Sequence, residues 1–143
     1  MLQRLRTRAE GEQGFTLIEL LVVMVIIGVL AAIAIPLFLN QKKKAHETAA
    51  KSDVVDIVQH LTSYYIDSNL TLTASGGAGG TWVLSDSTGV VDTSRLSPGD
   101  MIVGQNIVSD SVYCVAVQHF AGGAADSRAW TYDQNGLQAG NLC

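Results

Sequence analysis

Between Phe15 and Leu39 the chain is almost wholly apolar, and from Leu20 to Leu39 it carries twenty residues without a charge. At about 1.5 Å rise per residue, that run is long enough to cross roughly 30 Å of hydrocarbon as a helix. Polar positions then return at helical spacing. Ala45, Ala49, Val54, Ile57, Val58, Leu61 and Tyr65 recur at steps of three and four, with Lys51, Asp53, Asp56 and Gln59 mostly off the stripe. The pattern predicts one helix from about Phe15 to Asp67, apolar all round in its first half and amphipathic in its second. Beyond it the period changes. "ASGGAGG" (Ala74–Gly80) reads as a loop, and strands are expected at Thr81–Leu84, Met101–Val108, Val112–Phe120 and Arg128–Asp133. "DQNGLQ" predicts a tight turn at Asn135–Gly136. The expected architecture is α+β, a long helix whose second half lies on a small antiparallel sheet.

Charge divides the chain in the same place. Arg4, Arg6 and Arg8 precede the apolar run, and Lys42, Lys43, Lys44 and Lys51 follow it. From Ser52 onward nine Asp face only Arg95 and Arg128, so the head is strongly acidic. Its field disfavours nucleic acid as a partner. Cys114 and Cys143 lie 29 apart, off metal-ligand spacing. In an oxidising compartment they would form a disulfide closing the C-terminus, and two separate buried thiols are the alternative. No catalytic set emerges: His46, His60 and His119 are scattered, and "ASGGAGG" lacks the Lys-Ser/Thr of a phosphate loop. "DQNG" matches only a fragment of a calcium loop, so turn chemistry is the simpler reading and neither metal nor cofactor is expected.

The apolar run admits two readings from its own residues. "AIA" at Ala32–Ala34 fits an ordinary secretory cleavage site, but the run continues past it to Leu39 and Pro36 follows closely. A permanent single-pass anchor fits the length, although the basic residues on both sides leave its orientation open. Neither explains Glu19, an acid at the mouth of a membrane span, where an ionised carboxylate costs about 2.5–3.5 kcal/mol even on lenient insertion scales. Near a helix N-terminus the macrodipole favours it.

"GFTLIELLVVMVIIGVLAAIAIP" resembles the class III signal and N-terminal helix of type IV pilins and their relatives, in detail over about Gly14 to Gln41 and loosely beyond. The resemblance implies the pilin fold and a leader, residues 1–14, removed by a prepilin peptidase between Gly14 and Phe15. It implies N-methylation of Phe15. Glu19 then serves assembly registry, neutralising the Phe15 amine of a neighbouring subunit. Gly28 and Pro36 become the points where the helix kinks or loses helicity, Pro36 because it lacks an N–H and crowds the preceding turn. The implied layout is a membrane and filament-core helix over 15–41, an amphipathic continuation over 42–67 and a head over 68–143.

The function so implied is structural: a pilin precursor, expected as the major subunit, and not an enzyme. It would be held in the cytoplasmic membrane with its leader inside. An assembly platform and ATPase would then polymerise it into an extracellular type IV pilus, a helical homo-oligomer. A pseudopilin of a type II secretion system and a membrane-anchored binding module that never polymerises are the alternatives.

Overall fold

A computed structural model describes residues 14–77, 80–121, 123–125, 127–140 and 143; the expected leader, up to residue 13, lies outside the described residues. The chain divides into two compact units, 1–38 and 39–143. Helix α1, Leu17–Asp67, contributes to both and is helical without interruption through Gly28 and Pro36.

In the first unit, among the described residues, α1 buries no large apolar side chain. Its large apolar side chains, from Leu17 to Phe38, are about half or more exposed. An 18-residue window of this helix is long and apolar enough to cross a membrane.

In the second unit α1 buries Ala50, Asp53, Val54, Ile57, Val58 and Leu61. The expected stripe holds at Val54, Ile57, Val58 and Leu61. It shifts at Ala45, which is exposed, and at Asp53, which is buried rather than off the stripe. Among the described residues eight strands follow, all paired antiparallel: β1 (Thr73–Gly76), β2 (Thr81–Asp86), β3 (Gly89–Arg95), β4 (Asp100–Ile107), β5 (Tyr113–Ala121), β6 (Ala124–Ala125), β7 (Trp130–Asp133) and β8 (Gly136–Ala139). They form two sheets, β1-β2-β3 and β4-β5-β7-β8, with β6 on the side of β5. Four strands, β1, β3, β6 and β8, lie outside the four segments expected to be strands. β1 takes Ala74–Gly76 out of the glycine-rich loop, because Ala74 and Ser75 pair with Leu84 and Val83 of β2. β3 interrupts its apolar pair with Asp92, Thr93 and Ser94, which hid it from a period-2 reading.

One core joins the layers. Val54, Ile57 and Leu61 of α1 meet Trp82 and Leu84 of β2, Ile107 of β4 and Val115 and Val117 of β5, all nearly or fully buried. Burial of each large side chain stabilises the unit by roughly 1.5–3 kcal/mol. Trp82 and Leu84 alternate with partly exposed Val83, as a half-buried strand requires. β5 lies between β4 and β7 and buries Val115, Ala116 and Val117 consecutively.

The β7–β8 hairpin turns through Gln134–Asn135, one residue earlier than expected. The positive φ falls on Gly136 (97°), the first residue of β8, and not on Asn135. The Asp133 carboxylate takes the Asn135 amide at 2.7 Å, an Asx-type closure.

Candidate functional site

At the start of α1 the sequence Thr16-Leu17-Ile18-Glu19 forms a capping box. Glu19 Oε2 accepts the Thr16 backbone N–H and hydroxyl, each at 2.8 Å, and Thr16 Oγ1 accepts the Glu19 N–H at 3.3 Å. The first amides of a helix lack intrahelical partners, and this reciprocal exchange satisfies the Thr16 and Glu19 amides. Glu19 is therefore engaged within its own chain. Thr16, its partner, was not singled out from sequence, although Thr-x-x-Glu before an apolar run is the usual signature of such a cap. Phe15 is 82% exposed beside it, and a Cβ added to Gly14 would meet nothing within 4 Å.

In the head, Cys114 on β5 and Cys143 are joined by a disulfide, with Cα atoms 5.7 Å apart. The histidines are less scattered than their spacing suggests. His46 of α1 and His119 of β5 have ring centroids 3.8 Å apart. Asp100 pairs with His119 across β4 and β5, and His119 Nδ1 lies 2.6 Å from Asp100 Oδ1. Asp53 of α1 accepts the Ser97 amide at 2.7 Å and the Ser97 hydroxyl at 3.0 Å. Burial raises the Asp100 carboxyl to about 6, the His119 bond opposes that, and neighbouring Asp53 adds to it.

A second histidine joins α1 to the other sheet. His60 Nδ1 lies 2.6 Å from Asp92 Oδ2 of β3, and Trp82 Nε1 donates to Asp56 at 3.2 Å. The His60 hydrogen bond holds the Asp92 carboxyl below its usual range. Sequence spacing hides both groups, because each is assembled across strand registers that the topology alone sets. Among the described residues, no three His, Cys, Asp or Glu side chains are grouped to hold a metal ion.

Residues 11–35 match the family described as the prokaryotic N-terminal methylation motif. The chain is similar to the type II secretion system core protein G of Dickeya chrysanthemi, 40% identical over 68 residues, 48% of this chain and 44% of that one. It is similar to core protein G of Escherichia coli strain K12, 41% identical over 68 residues, 48% and 47% of the two chains. It is also similar to the type IV wide pilus major component PilA4 of Thermus thermophilus, 46% identical over 57 residues, 40% and 44% of the two chains. The chain thus spans less than half the length of the curated relatives it matches. No solved structure matches at comparable significance. With a long helix on antiparallel sheets, the α+β architecture agrees with the pilin fold.

Proposed function

We propose that this chain is the precursor of a filament subunit of the type IV pilus class, cleaved between Gly14 and Phe15 and methylated at Phe15. The observation that carries this reading is the state of α1. A membrane-length apolar surface is left uncovered in its own unit, immediately after a cap built from Thr16 and Glu19. Such a surface calls for lipid or for other copies of the same helix. The methylation motif over residues 11–35 and the likeness to PilA4 support the second fate for the mature subunit.

In this reading Glu19 leaves its cap to neutralise the Phe15 amine of a neighbour. A buried pair of that kind selects register by penalising every alignment that leaves one charge alone. Gly28 and Pro36, helical here, are where helicity would be lost on packing. The subunit waits in the cytoplasmic membrane with its leader inside, is processed by a prepilin peptidase, and is assembled by a platform and ATPase. Likeness to several core G proteins favours a second reading, a type II secretion pseudopilin.

Mass spectrometry of sheared filaments tests the first. This chain, beginning at N-methylated Phe15, should dominate the filament fraction. Its absence there, with loss of protein secretion on deletion, would establish the pseudopilin reading instead. Retention in the membrane fraction under both conditions would leave the anchored binding module.

A further inference from the structure

Asp100 is fully buried and its Oδ2 has no hydrogen-bond partner, although Oδ1 is bound by His119. Asp53 is also buried and both of its oxygens already take donors from Ser97, the residue whose carbonyl accepts the Asp100 amide at 2.9 Å, so one tight turn brings the two acids to the same buried place. Two carboxylates cannot face each other in a buried site while both are ionised; a proton between them converts one into a donor. That proton would satisfy the orphaned Oδ2 of Asp100. The other groups around the pair are fixed. His119 comes from β5, its own amide bound to Ser127 Oγ, and the His46 ring of α1 lies against its ring at a tilt of 33°. Ser97 and Gly99 close the side preceding β4, where the Gly99 carbonyl accepts the Phe120 amide at 2.8 Å.

We propose that Asp53 and Asp100 bind a single proton between them and so form an acid-strengthened latch holding α1 of the head to β4 and β5. With the proton present, the chain from α1 through Asp53, Asp100 and His119 is satisfied by hydrogen bonds. When it leaves, two buried anions oppose each other across the same contact. His119 can donate from Nδ1 whether or not Nε2 carries a proton, so the Asp100–His119 bond survives both states. Nothing in this chemistry depends on the filament reading. Where the head lies outside the cytoplasm, as proposed above, the latch meets ambient pH directly.

A group whose folded pKa is raised costs stability once it ionises. The latch should therefore hold at low pH and weaken as pH rises from about 4 through about 6. The test uses the full chain in detergent micelles. Infrared spectra at about pH 6 should show a protonated-carboxyl stretch that survives Glu19→Gln and disappears in Asp100→Asn. Thermal midpoints should fall as pH rises through that window. Asp100→Asn keeps the shape, donates an amide hydrogen to Asp53 and accepts from His119, so its midpoint should be flat there and equal or exceed wild type at pH 7. Absence of the band in folded wild type, or an unchanged pH slope in Asp100→Asn, overturns the proposal. Should that variant fail to fold, loss of the band in Asp53→Asn supports it and persistence of the band in that variant refutes it.

Discussion

Thr16 holds the Glu19 carboxylate by two hydrogen bonds of 2.8 Å, one from its amide and one from its hydroxyl. Any pairing of Glu19 with the amine of a second subunit must compete with this local cap. The competition separates two roles that Glu19→Ala alone would confound. Gln at this position keeps the capping geometry but carries no charge. Glu19→Gln is therefore expected to preserve the helix start while cutting filament yield nearly as much as Glu19→Ala, scored by electron microscopy of sheared material. Abundant filaments from Glu19→Gln would mean that capping, and not charge pairing, is what Glu19 supplies.

Gly14 bears on the step before assembly. A peptidase needs extended, accessible backbone at the bond it cuts, and glycine offers it without a side chain. Gly14→Val should leave a longer precursor that stays in the membrane fraction. An immunoblot showing a band of mature size in that variant would remove the cleavage assignment between Gly14 and Phe15.

The fold was legible where one physical pattern ran uninterrupted. The apolar run and the three- and four-residue steps after it predicted α1 to its last residue, Asp67, because helix periodicity survives local exceptions. β5 was legible for its density of β-branched residues, and β7 lies inside the expected strand Arg128–Asp133. β3 was not, since Asp92 enters it to meet His60 of α1, a tertiary demand invisible to local pattern. Asp53 shows the same limit in reverse. A charge on the core face breaks the stripe, and only the fold, which brings the Ser97 amide and hydroxyl to it, shows what receives it. At the N-terminus the cap is written in Thr16-x-x-Glu19, whereas a pairing of the same carboxylate with Phe15 comes only from the family resemblance.

The disulfide should matter to the head as a whole. Its sequence separation of 29 corresponds to about 3–4 kcal/mol of lost chain entropy in the unfolded state. It also ties Cys143 to β5, at the centre of its sheet. Cys114→Ser with Cys143→Ser is expected to lower the thermal midpoint markedly and to expose the C-terminal segment to carboxypeptidase. Reduction of the wild type should reproduce both effects. An unchanged midpoint in the double variant would show that the loop is held by its other contacts.

At the acid limit a different carboxylate is expected to contribute to stability. Asp86 accepts the Thr88 hydroxyl and amide, each at 2.6 Å, and the Tyr64 hydroxyl at 2.6 Å. These bonds, the Thr88 hydroxyl foremost, hold its carboxyl at about 2. A lowered folded pKa gives stability that is present above about 4 and is lost as pH falls toward 2. Thr88→Ala should therefore lose stability above about pH 4, where wild type holds it, and approach wild type near pH 2, so that its stability falls less steeply over that range. Thermal midpoints followed by circular dichroism from about pH 2 to 5 measure it, and an unchanged slope would assign the acid dependence to other groups.

Gly99 offers the sharpest structural test, because two independent constraints meet there. Its φ is +94°, which side-chain-bearing residues rarely adopt. A Cβ at this position would collide with His119 Cε1 and lie 2.9 Å from the Phe120 carbonyl oxygen. His119 is buried and fixed by Asp100 and by the ring of His46, so it has little room to yield. Backbone strain alone costs on the order of 1–3 kcal/mol, and displacing His119 adds the loss of its bond to Asp100. Gly99→Ala is expected to destabilise the head by more than strain alone. Hydrogen exchange should rise first at His119 and Phe120 of β5, before the β1–β3 sheet responds. Gly89, also at positive φ (139°) but with open space around its Cβ position, is the control. If Gly89→Ala cost as much as Gly99→Ala, backbone strain would account for both, and the packing of His119 against Gly99 would contribute nothing further.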